Sequence, residues 1–69
     1  MRISARNKLA GTVTSISEGA AIANVALDVG GNRVVASITV EAVHELGLKE
    51  GTEVVAVIKA SDVLLALPD

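Results

Sequence analysis

Two short polar segments near the ends of the chain carry the side chains best suited to chemistry. The N-terminal polar segment, residues 4–8, reads Ser-Ala-Arg-Asn-Lys, and the C-terminal polar segment, residues 59–61, reads Lys-Ala-Ser. Each supplies a long cation, a hydroxyl and small residues that leave backbone N–H groups open, and neither contains a carboxylate, thiol or imidazole. A small tetrahedral oxyanion needs many hydrogen-bond donors and some positive charge. The segments therefore indicate oxyanion binding, although Arg6 and Lys59 taken singly are also compatible with ordinary surface charges.

The distribution of charge allows a cationic patch on an acidic protein. The 69-residue chain has a formal net charge of −2, which disfavours a protein that coats nucleic acid. Arg2, Arg6 and Lys8 all precede the first carboxylate, Glu18, and most other carboxylates follow residue 40. The chain contains no Phe, Tyr or Trp, so it lacks the aromatic platforms on which single-stranded nucleic acids stack. We expect no nucleic-acid partner, and the positive charge remains available for a small anion.

The sequence offers little to support catalysis. It contains no Cys and a single His, His44, which we expect to be an exposed residue of a helix. Glu41 and Glu45 lie four residues apart on the same predicted helix, and a solvated face explains them. The glycine-rich residues 30–32 lack the spacing and the Lys of a phosphate-binding loop, and they precede a strand. We therefore predict a protein that is not an enzyme and has no directly coordinated metal cation.

Apolar patterns predict five strands and one short helix. The predicted strands cover residues 2–17, 23–29, 33–38, 53–60 and 62–67, and the helix covers residues 40–46. Gly11 is expected to kink or bulge the first strand, while Thr39 caps the helix and Gly47 ends it. A tight turn at residues 30–32 joins the second and third strands. This is the element order of the OB-fold, a five-stranded Greek-key barrel, in a single domain of residues 1–69.

The apolar content of the chain exceeds what a domain of this size buries alone. Hydrophobic residues make up 51% of it, yet it has no aromatic side chain and no Cys to stabilise a small core. The last two predicted strands are nearly continuous apolar runs, so both of their faces need cover. We expect further copies of the chain to supply that cover. No apolar run reaches the roughly 20 residues that span a bilayer, and no signal-peptide pattern is present, so we expect a cytoplasmic protein without a membrane partner.

From Arg2 to about Leu67 the chain resembles the molbindin (Mop) family, small cytoplasmic proteins that bind molybdate and tungstate. The most specific motif is Ile-Ser-Ala-Arg-Asn at residues 3–7. Val-Ile-Lys-Ala-Ser at residues 57–61 supports it, and Val-His-Glu-Leu-Gly-Leu at residues 43–48 is a weaker match. The resemblance implies an OB-like domain, assembly as a hexamer, molybdate or tungstate as ligand, no cofactor, and anion sites between subunits. The binding residues that it implies are Ser4, Ala5, Arg6, Thr39, Lys59, Ala60 and Ser61.

Two features of the sequence leave alternatives open. Similar domains carry a Ser three residues after the Thr at the start of the helix, whereas this chain has Ala42, so one hydroxyl donor is missing. Arg6 is compatible with contacting the anion or with pairing to a neighbouring subunit. The role implied is intracellular storage or homeostasis of molybdenum. The alternatives are a structural or regulatory module whose Arg6 and Lys59 bind a protein partner, and an oligonucleotide-binding OB domain, which the composition disfavours.

Overall fold

The computed structural model describes residues 2–69, so of the predicted domain only Met1 lies outside the described residues. The strands are β1 (Asn7–Glu18), β2 (Ile22–Val29), β3 (Asn32–Thr39) and β4 (Glu53–Ile58), with helix α1 (Val40–Leu46) between β3 and β4. The fold is therefore mostly β, with one helix where the sequence predicts it. The strands form one antiparallel sheet in the order β3-β2-β1-β4, which is the strand order of a Greek key. None of the helices in residues 2–69 is long and apolar enough to cross a membrane.

The hairpin and the helix follow the local signals of the sequence. Gly30 and Gly31 adopt φ angles of 57° and 89°, which glycine reaches without steric cost, and they join β2 to β3. Asp28 Oδ1 accepts a hydrogen bond of 3.0 Å from the Gly31 N–H. At the start of α1, Thr39 Oγ1 accepts from the Ala42 N–H at 3.0 Å, and Gly47 ends the helix with φ 63°. The predicted turn, helix and caps are confirmed.

The core lies between the concave face of the sheet and helix α1. Val13 of β1, Val25 and Leu27 of β2, and Val43 of α1 are all buried and form one cluster together with Ala23. Ala23, Val25 and Leu27 alternate along β2 and therefore share one face, while Ala26 is buried on the opposite face. The cluster contains only aliphatic side chains, so the interior is small. The cluster positions the sheet, but several apolar side chains elsewhere stay exposed to solvent.

The irregularity in β1 lies at Thr14 and not at Gly11, so that prediction is wrong. The β1–β2 register shifts between Val13 and Ser15, and Thr14 Oγ1 donates a 3.2 Å hydrogen bond to the Ala26 carbonyl. Gly11 serves a different purpose, because a Cβ there would lie 2.9 Å from the Asp28 carbonyl oxygen. Its missing side chain lets β2 approach β1 closely.

Gly11→Ala is therefore expected to destabilise the protein by about 1–3 kcal/mol, the usual cost of overpacking. The carbonyl that it meets belongs to the backbone and cannot rotate away as a side chain would. Urea unfolding at a fixed protein concentration measures the change. Ser17→Ala on the exposed side of the same strand is the matched control, expected within about 0.5 kcal/mol of the original protein. Equal stability of the two variants would contradict the close approach at Gly11.

The predicted fifth strand is wrong for the isolated chain. Strand β4 ends at Ile58 rather than residue 60, a 3₁₀ turn occupies Ala60–Asp62, and residues 63–69 form no strand. Leu64, Leu65 and Leu67 are 91–93% exposed, because after the turn the chain does not return to its own sheet. The apolar side chains that suggested a strand are present, but nothing else in residues 2–69 buries them. We call residues 63–67 the apolar tail.

The first strand is also shorter than predicted. It begins at Asn7, not at residue 2, because its partner β4 ends at Ile58, directly opposite Asn7. Residues 2–6 therefore continue beyond the sheet. This difference leaves the backbone of residues 4–6, the first part of the N-terminal polar segment, outside the β1–β4 ladder.

An open groove separates the two edge strands. Strands β3 and β4 each have only one neighbour in the sheet, and the space between them is a cavity of about 250 Å³. Its walls are apolar and include Val25, Leu27, Ala36, Ile38, Leu48 and Val54. The sheet is therefore open between β3 and β4. We call this cavity the open groove.

Candidate oxyanion site

The pairing of β1 with β4 brings the two polar segments together. Asn7 and Ile58 are the last partners of the antiparallel ladder, and Asn7 Nδ2 donates a 3.2 Å hydrogen bond to the Ile58 carbonyl. Arg6 directly precedes Asn7 and Lys59 directly follows Ile58. In an antiparallel pair these two residues leave the same end of the sheet. The hydrogen bond from the Asn7 amide thus links the two segments at the point where both leave the sheet.

The N-terminal polar segment presents its side chains to solvent. Ser4 lies at a bend, Ser4 and Arg6 are exposed, and Ala5 between them is half-buried. Arg2 and Lys8 add positive charge on either side and are also exposed. A hydroxyl, a guanidinium and the backbone next to a small residue can all donate to an anion.

The C-terminal polar segment forms a short turn. Lys59 precedes the 3₁₀ turn of Ala60–Asp62, and the Asp62 N–H donates to the Lys59 carbonyl at 2.9 Å. Lys59, Ala60 and Ser61 are exposed. Asp62 directly follows Ser61, so a carboxylate lies beside the donors even though both polar segments are free of one. An anion here therefore meets three small or cationic residues and, next to them, one acceptor.

Thr39 does not join the other six predicted site residues within one chain. It pairs with Ile22 at the end of β2, next to the Glu18 end of β1, whereas the polar segments lie beyond the Asn7 end. The Thr39 hydroxyl oxygen accepts from Ala42 N–H, which leaves its own proton free to donate. Ala42 adds no hydroxyl, and its N–H is already used in the cap.

Thr39 lies in a second environment of opposite charge. It lines an open depression of about 570 Å³, which we call the Thr39 depression. Ala20 and Ala21 of the β1–β2 turn form one wall, and Val40, Glu41, His44 and Glu45 of α1 form the other. The cationic end of β1 and this acidic end therefore lie at opposite ends of the strand.

His44 has a partner that sequence analysis missed. Its Nε2 lies 3.0 Å from Glu18 Oε1, and the two side chains are 67% and 42% exposed. The prediction that His44 is an exposed helical residue is confirmed. The contact with Glu18, 26 residues away, has no signature in the sequence, because only the fold brings the end of β1 beside α1. Among residues 2–69 no group of three or more His, Cys, Asp or Glu residues could hold a metal ion.

Comparison with known proteins gives a consistent result. Residues 3–65 match the TOBE domain family. The chain belongs to the TOBE domain family. This TOBE domain is 47% identical over 66 residues to molybdenum-pterin-binding protein 1 of Clostridium pasteurianum, covering 94% of the chain and 97% of that protein. It is 46% identical over 68 residues to a probable molybdenum-pterin-binding protein of Haemophilus influenzae, covering 97% and 99%. The resemblance to the Mop proteins is confirmed.

Solved structures share the fold of this TOBE domain. A molybdate-binding protein from Sporomusa ovata superimposes with a TM-score of 0.93 at 39% identity, covering 97% of this chain and all of that one. The cytoplasmic molybdate-binding protein ModG, solved with molybdate bound, has a TM-score of 0.93 at 52% identity. The superposition covers 99% of this chain and 49% of ModG.

Proposed function

We propose that this chain binds molybdate, and also tungstate, reversibly and without catalysing a reaction. The observation that carries the proposal is the register of β1 with β4, which ends at Asn7 and Ile58 and leaves two donor-rich segments side by side. The names of the relatives support the choice of anion. The description of ModG as a cytoplasmic protein supports a role in the cytoplasmic storage or buffering of molybdenum.

Each residue of the proposed site has a distinct part. Lys59 and Arg6 supply positive charge, and a charge-assisted hydrogen bond is about twice as strong as a neutral one. Ser4 and Ser61 donate hydroxyl hydrogen bonds, and the backbone N–H groups near Ala5 and Ala60 complete the shell. Nothing in this set is a nucleophile or a proton-transfer group. The site is therefore suited to holding an anion rather than to converting it.

Thr39 enters the proposed site from a different subunit. Its hydroxyl proton is free to donate, but it lies at the acidic end of its own sheet, with Glu41 and Glu45 in the same depression. The polar segments of another copy carry the complementary positive charge, which attracts them to this depression. Anion sites between subunits follow, with cations from one copy and Thr39 from another.

The apolar tail and the open groove explain how the subunits are held together. The tail exposes three Leu side chains almost completely, and the groove between β3 and β4 is open and lined by apolar residues. A tail from a second copy, placed between β3 and β4, closes the sheet into the five-stranded OB-like barrel and covers both apolar surfaces. Burying each Leu contributes about 1.5–3 kcal/mol. The resemblance to Mop proteins favours a hexamer as the final assembly.

Molybdate is expected to raise the melting temperature of the protein, because a ligand that binds only the folded state stabilises it. At a free concentration of 100 times the Kd the stabilisation is about 2.7 kcal/mol. Thermal unfolding at constant ionic strength should give similar shifts for tungstate and much smaller ones for sulfate and phosphate. We attribute the difference to the size of the anion. Protonation of phosphate does not account for it, because Asp62 offers an acceptor to the phosphate O–H. Equal shifts for all four anions would indicate a nonspecific basic patch, and no shift with molybdate would contradict the proposal.

A further inference from the structure

We propose that His44, held by Glu18, makes oxyanion binding at Thr39 stronger as the pH falls. The inference rests on the function proposed above. It adds a residue that the chemistry of the two polar segments does not include. His44 and Thr39 belong to the same short helical region and line the same depression. The only imidazole in the sequence therefore lines the same depression as the hydroxyl assigned to the anion.

The charges around the Thr39 depression make the protonation state of His44 decisive. Glu41 and Glu45 of α1 line the depression, and Glu18 of β1 contacts His44. Among the described residues that line it, none is Lys or Arg. With a neutral imidazole, the two carboxylates that line the depression repel an approaching dianion, and Glu18 adds a third negative charge next to His44. Protonation of His44 adds a positive charge to a depression whose other described lining residues carry none.

The contact with Glu18 also fixes which ring nitrogen carries the proton. An ionised carboxylate only accepts hydrogen bonds, so Nε2, 3.0 Å from Glu18 Oε1, is the protonated nitrogen of the neutral ring. The other nitrogen, Nδ1, then has no proton and presents a lone pair, which repels an oxyanion. Protonation converts Nδ1 into an N–H donor while Nε2 keeps its bond to Glu18. The same step changes both the charge and the donor count on the side of the ring away from Glu18.

Thermodynamic coupling gives the sign of the effect. An anion that binds better to the protonated form of His44 favours protonation, so binding takes up protons from solution. The affinity for molybdate is then higher at pH 6.0 than at pH 8.0. We expect a difference of about fivefold, at the lower end of the range for coupled sites, because the pair is exposed to solvent. Lys and Arg side chains of a neighbouring subunit do not titrate between these pH values and leave the slope unchanged.

Titration calorimetry of the assembled protein with sodium molybdate tests the inference. Measurements at pH 6.0 and pH 8.0 at constant ionic strength give the affinity ratio. Repeating them near pH 6.5 in two buffers with different ionisation enthalpies gives the number of protons taken up. His44→Gln retains a polar side chain but cannot titrate, and it should lose both the pH dependence and the proton uptake. Glu50→Gln, which removes a titratable side chain outside the Thr39 depression, should keep both.

The outcomes separate this inference from the proposed function. Molybdate binding with equal affinity at both pH values would overturn the role of His44 and leave the proposed function standing. Proton uptake that persists in His44→Gln would overturn it as well, because another group would then titrate. An absence of molybdate binding at either pH would contradict the proposed function itself and, with it, the inference.

Discussion

Lys59→Ala is expected to weaken molybdate binding about tenfold to a hundredfold. The substitution removes one charge-assisted hydrogen bond, which contributes about 1.5–3 kcal/mol. Lys59 is exposed and precedes the turn of Ala60–Asp62, and its aliphatic stem supports no part of the buried cluster. The fold should therefore survive the change. Titration calorimetry at fixed pH and ionic strength measures the loss.

The matched control for Lys59 is Lys49→Ala. Lys49 is also exposed and also lies outside the strands, in the connection between α1 and β4. It removes the same charge from the chain but not from the polar segments. Light scattering must show that both variants keep the assembly of the original protein. A Lys59 variant that is assembled and binds molybdate normally would remove Lys59 from the site.

The double substitution of Leu65 and Leu67 by Asp is expected to reduce the assembly to single chains. In an extended segment, residues two apart face the same side, so both leucines enter the same partner surface. Losing their burial costs about 3–6 kcal/mol per tail, and placing two carboxylates in an apolar groove costs more. Multi-angle light scattering at micromolar concentration should give the mass of one chain. Molybdate binding should be lost together with the assembly, because the proposed site combines Thr39 of one subunit with Lys59 of another.

Conservative variants test whether the apolar character of the tail is what holds the subunits together. Leu65 and Leu67 replaced by Met keep nearly the same volume and apolar character, and this protein should stay assembled. An unchanged mass for the Asp variant would show that the tail does not hold the subunits together. A single-chain mass for the original protein would contradict assembly altogether.

Local patterns were sufficient to predict most of the elements. Thr39 and Gly47 mark the ends of α1, and the paired glycines mark the hairpin, because capping and turn chemistry act over a few residues. The two polar segments meet because β1 pairs with β4, the last strand that forms. The apolar tail could not be assigned correctly. Its pattern indicates two covered faces but carries no information on which copy of the chain covers them.

The rest of the candidate site required the fold. The separation of Thr39 from Lys59 depends on the length of β1, which runs from Asn7 to Glu18 between the two regions. The contact of His44 with Glu18 depends on how α1 lies against the end of that strand. Both are long-range consequences of packing, and neither residue type nor spacing encodes them. Gly11 was recognised as unusual in the sequence, but only the 2.9 Å approach to the Asp28 carbonyl explains why.

The short turn of Ala60–Asp62 has a geometric consequence for the size of the particle. It sets the direction in which the apolar tail leaves each subunit. If two tails are exchanged reciprocally, the contact is complete at two copies. If each tail is passed to the next copy in line, the series closes into a ring only when the rotation per step divides a full circle, and otherwise it continues as a fibre. The direction set by these three residues therefore contributes to whether copies joined by their tails form a finite particle or a filament.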